Sequence, residues 1–178
     1  MKRQPWGHLA GRFFGALRPG GPSPAERAWV ESVLEPGEFA LWVRQPGHDQ
    51  RHSAGVAREV EAALAGGPHA GDTRWLACAL LHDIGKLASG LGIPARVLAT
   101  LVGLVTDGSV ADWEERRGLA RRIALYLRHP ELGADMIRLA GGRDEVAHWA
   151  GAHHGRARLD PWLLPAPVVK ALVAADND

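Results

Sequence analysis

Nine histidines occur in 178 residues, and imidazole is both the commonest metal ligand and the side chain that titrates near neutrality. Their spacing carries the first clue. His52 stands one turn before Val56 and Val60, His82 and Asp83 close the most apolar stretch of the chain, and His153 continues the series Val146, Trp149, Ala150. Asp176 continues Val169, Leu172 and Val173. Steps of three, four and seven put each of these polar residues on the core-facing side of a helix. His129 precedes Pro130 at the head of a further helix whose inward residues are Gly133, Ile137 and Ala140. A carboxylate buried alone is costly or neutralises itself. Here Asp83 and Asp176 turn inward with His52, His82, His129 and His153, and no arginine shares those stripes. The set calls for a bound cation, and a divalent metal, or a pair of ions sharing a carboxylate, suits these ligand types.

The elements that must position these groups read as helices punctuated by Gly and Pro. Ser23-Pro24 is a cap and first position for a helix through Leu34, and Pro36 or Gly37 opens a short segment to Gln45. Asp49 is expected to cap a long helix stopped by Gly66-Gly67, and Asp72 to cap the next, Arg74–Leu87, which is apolar on nearly every side from Trp75 to Leu81. Helices are further predicted from Ile93 to about Val105, from Asp112 through an arginine cluster to Leu127, and over 130–140, 144–154 and 168–175. Convincing strand alternation is absent, so the expected class is all-α, a single helical domain over residues 24–178 with a loosely held arm at 1–23.

Composition narrows the function classes. Hydrophobic residues make up 46% and charged residues 23%, enough for a packed core. Twenty-one basic against 20 acidic residues leave a net charge of +1, which argues against dedicated nucleic-acid binding or an anionic-membrane binder. No apolar run approaches the ~18 residues of a membrane span, and Gly7, His8, Gly11 and Arg12 interrupt any signal-peptide core, so a cytoplasmic protein is expected. Cys78 is the single cysteine, which removes any intramolecular disulfide. Lysines number three (Lys2, Lys86, Lys170) against eighteen arginines, which makes the position of Lys86 informative.

The segment His82-Asp83-Ile84-Gly85-Lys86 resembles the signature of the HD superfamily of metal-dependent phosphohydrolases. Arg51-His52-Ser53 is similar to the family's upstream histidine, and His129-Pro130-Glu131-Leu132-Gly133-Ala134 to the histidine-proline segment of its two-metal branches. His153-His154-Gly155 is similar to the double-histidine segment, and Ala175-Asp176 to the closing aspartate. The resemblance covers roughly residues 24–178, and five segments in order are far more specific than one His-Asp pair. It implies a metal site of His52, His82, Asp83 and Asp176, with Asp83 able to bridge, and a second ion on His129 and His153. His154 would ligate or contact phosphate, and Lys86 would face the phosphoryl group beside the catalytic Asp83. One or two divalent ions (Mn, Fe, Co or Mg) would activate a water for attack on phosphorus. Arg156 and Arg158, directly after the double histidine, are candidate phosphate contacts. The implied substrate is a small phosphorylated molecule, a nucleotide or cyclic dinucleotide. The chain lacks the Gly-Tyr-Pro motif of the cyclic di-GMP phosphodiesterases; its His-His-Gly wording is closer to the cyclic di-AMP phosphodiesterases, whose transmembrane region it lacks.

Other readings stay open beside this one. Taken alone, His52 is a satisfied core histidine and His129 a helix cap; His8 and His69 fall in Gly/Pro-rich loops and are expected exposed; His148 falls off the inward stripe. His48, one turn before His52, follows Pro46-Gly47 and reads as a loop residue. Cys78 reads as a small core residue, and Arg116, Arg117, Arg121 and Arg122 as a helix face salt-bridged by Glu114 and Glu115. Trp113 and Trp162 are candidates to line the cleft. The rival function is a non-catalytic domain of the same fold that binds metal or nucleotide as a sensor or partner surface; a third is an arginine-decorated helical adaptor.

Overall fold

The architecture was analysed in a computed structural model, which describes residues 20–106, 110–155 and 159–177. The capping chemistry read from the sequence is present at two helix starts: the Ser23 side chain accepts from the Glu26 N–H, opening α1 (Pro24–Val33), and Asp72 accepts from the Arg74 N–H, opening α4 (Thr73–Leu81). Between them lie α2 (Pro36–Trp42) and α3 (Gly47–Leu64). A 3-10 helix, Ile84–Ser89, follows α4, and then α5 (Ile93–Val105), a short 3-10 turn (Ala111–Trp113), α6 (Leu119–Leu127), α7 (His129–Leu139), α8 (Asp144–Ala152) and α9 (Ala166–Asn177). Among the described residues there is no strand. The all-α expectation holds.

α4 is the axis of the core. From Trp75 to Leu81 every residue is buried, as an element apolar on all sides must be. α3 and α8 pack on it most extensively, and α1, α2 and α9 also touch it. α7 lies along α8 and against the 3-10 helix, which α6 also contacts. One large apolar cluster runs from Val30 to Ala175 through Trp42, Leu80, Ile137, Trp149 and Leu172. A second, small one (Leu91, Ala99, Ile123, with Trp113 and Leu127 against it) joins α5 to α6.

Two buried polar side chains of the main core, Glu38 and Trp42, are paired, whereas the Trp75 indole nitrogen has no hydrogen-bond partner among the described residues. Glu38 is fully buried on α2, and Arg143, before α8, holds both its oxygens, at 3.0 and 2.5 Å. The Arg143 N–H adds a third bond at 2.9 Å. Trp42 donates to Ser53 Oγ at 3.0 Å. Cys78 is buried, and desolvation pushes its thiol well up, consistent with a core role.

Several boundaries depart from the sequence reading. Asp49 is not the cap of α3: the helix starts two residues earlier, after Pro46, and Asp49 sits in its first turn, where Arg96 of α5 binds both its oxygens at 2.8 Å. His48 is therefore helical rather than in a loop. The element expected over Arg74–Leu87 is two elements, because α4 ends at Leu81 and the chain tightens into the 3-10 turn closed by Gly90 at φ 57°. The helix expected from Asp112 begins only at Leu119, since Gly118 adopts φ 71°. Arg116 and Arg117 precede it, and Glu114 pairs with Arg128 instead. His148 is half-buried and accepts the Asp160 N–H at 2.8 Å, and His69 lies edge-on to Trp75 rather than fully in solvent. Trp113 packs in the small cluster, while Trp162 is almost wholly exposed. Residues 1–19 of the expected arm, with His8, lie outside the described residues. Gly20, at its end, accepts a hydrogen bond from Arg51.

Candidate metal centre

Six elements bring six of the sequence-predicted groups to one place. His52 comes from the first half of α3, His82 from the C-terminal cap of α4, and Asp83 from the residue that starts the 3-10 turn. His129 is the first residue of α7, His153 caps α8, and Asp176 lies in the last turn of α9. The fold allows this because the 3-10 helix and α7 meet backbone to backbone. A Cβ on Gly85 would lie 1.9 Å from the His129 carbonyl oxygen and 2.6 Å from the Gly133 nitrogen. Only glycine fits that approach.

Three of the histidines are held alike. The Nδ1 atoms of His82, His129 and His153 lie 2.8, 2.7 and 2.8 Å from the backbone oxygens of Ala79, Tyr126 and Ala150, each three residues earlier. A carbonyl can only accept, so Nδ1 carries the proton and Nε2 is directed into the centre, the orientation in which a ligating histidine is braced by its neighbours. There the Nε2 atoms converge on Asp83. Oδ2 is 3.3 Å from His82, while Oδ1 is 3.3 Å from His129 and 3.7 Å from His153. Asp176 Oδ1 is 3.3 Å from His82 and 3.9 Å from His52.

Two donor groups share Asp83. One atom from each of Asp83, His129, His153 and His154 lies within 4.8 Å of the others, and the same holds for His52, His82 and Asp83. His154 thus joins the second group, its Nε2 3.2 Å from that of His129. Asp176 borders the first group through His82. Lys86 makes a close ion pair with Asp83 and stands 5.9 Å from the centroid of the Tyr126 ring. Arg156 and Arg158 lie outside the described residues. Sequence reasoning gave no role to Gly85 or Tyr126. The glycine of the signature was the available signal for the first; the second, the single tyrosine, offered none.

The electrostatics are those of a centre built around positive charge. Burial disfavours a charged His82 ring, yet Asp83 and Asp176 outweigh it and raise its pKa to about 10. Burial also works against the Asp83 and Asp176 carboxylates, but Lys86 with His82, His129 and His153 holds Asp83, and His52 with His82 holds Asp176, well below the usual range. Lys86 is kept charged by Asp83 against desolvation. Burial lowers His129, and burial with the adjoining His153 and His129 lowers His154 to about 3, so both rings stay neutral. The buried Nε2 atoms of His82 and His153 have no partner of hydrogen-bonding geometry. Orphaned imidazole nitrogens beside two ionised carboxylates are what a divalent cation would satisfy.

A family model described as HD domain matches residues 50–176, which span all six groups and most of the chain. The protein belongs to the HD domain family, a family of metal-dependent hydrolases. No curated protein and no solved structure matches the chain.

Proposed function

We propose that this protein is a metal-dependent phosphohydrolase that cleaves a phosphoester or phosphoanhydride bond, with a nucleotide or cyclic dinucleotide as substrate. The observation that carries this reading is the division of Asp83, one oxygen toward His82 and the other toward His129 and His153. This division supports a reading in which Asp83 would contribute to two cation sites. In this reading His52, His82, Asp83 and Asp176 hold one divalent ion, and Asp83, His129, His153 and His154 a second.

Divalent ions held there would supply Lewis acidity and acidify a coordinated water. The chain's own residues do the rest. The backbone carbonyls behind His82, His129 and His153 fix the ring tautomers, so the donor atoms need no reorganisation. Asp83 supplies the shared negative charge. The Lys86 ammonium has three donors, one of them engaged with Asp83, and the others can meet phosphoryl oxygens as charge builds on them. Neutral His154, on the exposed side of the second group, stands where a substrate phosphate would arrive. No side-chain nucleophile is required.

Purified protein assayed with Mn, Fe, Co or Mg against linear nucleotide and cyclic dinucleotide panels tests the proposal. Phosphate or monophosphate release that disappears in Asp83→Ala supports it. Turnover that survives Asp83→Ala removes the mechanism, and stoichiometric metal with no turnover on any phosphate ester favours the sensor reading.

A further inference from the structure

α5 carries a surface the metal centre does not use. From Val97 to Val105 it contains no charged residue and Thr100 is its one hydroxyl side chain, yet of its 13 residues only Ala99 is buried. Val97, Leu98, Leu101, Leu104 and Val105 are exposed, the last two at 77% and 87%. They recur at i, i+1, i+4, i+7 and i+8 and so form one continuous stripe. Among the described residues α6 is the main neighbour of α5, through Ala99, Val102, Ile123 and Leu127.

Beside that stripe, residues 116–128 hold five arginines and no acidic residue. Arg128 is paired with Glu114. Arg122 donates to the backbone oxygens of Ser89 and Gly90, which leaves its charge uncompensated. Arg116, Arg117 and Arg121 are exposed, and no ion pair involves them among the described residues. Leu119, 49% exposed, stands among them.

We propose that the α5–α6 face of this protein rests on an anionic phospholipid surface, with the α5 stripe entering the headgroup boundary and the arginines meeting lipid phosphates. A continuous apolar stripe that no other described residue covers marks an interaction site, and the adjoining arginine run supplies the charge complementary to anionic lipid. A nucleic acid would satisfy the arginines but leave Leu104 and Val105 in water. Two copies pairing through this face would bring together two arginine runs, with only the exposed Asp112 and Glu115 before them to answer five arginines. At about 1.5 Å per residue α5 is about 20 Å long, short of the ~30 Å hydrocarbon core, so it lies in the interface rather than across it. The near-neutral charge of the whole chain does not oppose this, because at physiological salt a charge is felt over only about 8 Å.

Co-sedimentation of the full chain with vesicles of phosphatidylglycerol and phosphatidylcholine in equal parts, and with phosphatidylcholine alone, tests the proposal. The protein is expected to pellet with the anionic vesicles and to be released by high salt. Leu101→Gln with Leu104→Gln should abolish binding. Arg116→Gln, Arg117→Gln and Arg121→Gln together should weaken it, by about fivefold per arginine. Both variants change exposed side chains and should keep the helical spectrum and metal content of the parent. Absence of binding to anionic vesicles overturns the proposal, as does binding unchanged in both variants. A dimer in sedimentation velocity that Leu101→Gln with Leu104→Gln converts to monomer, without vesicle binding, assigns the face to a second copy and overturns it equally.

Discussion

Gly85 and His129 touch through their backbones: the space where a Gly85 side chain would begin is filled by the His129 carbonyl oxygen, 1.9 Å from an ideal Cβ. The contact fastens the turn that carries Asp83 to the helix that begins with His129, and it is why a residue from the middle of the chain and one 46 positions later can face the same centre.

Gly85→Ala should therefore damage both stability and metal binding. The obstructing atoms are backbone, which cannot swing aside, so a loss at or above the roughly 1–3 kcal/mol typical of overpacking is expected. Thermal unfolding should fall and metal content with it; Gly55→Ala, where a Cβ meets nothing within 4 Å, is the control. A Gly85→Ala protein with parental stability and metal would contradict the contact.

The two donor groups should be separable. His52→Ala is expected to reduce the content of one ion and His153→Ala that of the other, while Asp83→Ala depletes both. Elemental analysis of proteins purified without chelator, at equal concentration, gives the stoichiometries. Equal loss in all three variants would mean a single shared ion.

Metal should bind in competition with protons. The His82 pKa is raised to about 10 by Asp83 and Asp176, so in the metal-free protein its Nε2 proton occupies a ligand position. Binding must displace it, and affinity should rise with pH through neutrality, with protons released in calorimetry in buffers of different ionisation enthalpy. The sign for stability is the opposite. A folded pKa above the unfolded value of about 6.5 stabilises the metal-free protein below that pH, and this contribution is lost as pH rises toward about 10. Metal-loaded protein should lack this alkaline decline.

The Glu38–Arg143 pair should be a structural requirement remote from the site. Burial raises the Glu38 pKa, but Arg143 outweighs it and holds the group below its ordinary value. Its contribution is present above about pH 4.3 and is lost as pH falls through the folded value. Arg143→Ala leaves a fully buried carboxylate unpaired and should cost about 3–5 kcal/mol. Denaturant unfolding of Arg143→Ala and of Arg143→Met with Glu38→Leu checks this; the double variant should recover much of the loss.

The sequence alone determined the ingredients: helix caps at Ser23 and Asp72, the buried character of α4, and the inward-facing imidazoles and carboxylates of His52, His82, Asp83, His129, His153 and Asp176. Each follows from neighbours within one or two helical turns, where side-chain direction is set by helical periodicity. Only the tertiary structure decided that Asp83 stands between two histidine groups, that His154 belongs with the second, that the helix expected to run through Lys86 breaks into a tighter turn, and that no other described residue covers the α5 stripe. These depend on contacts between residues far apart in the chain, above all the close approach of Gly85 to His129, and local periodicity carries no information about which distant backbone a helix end will meet.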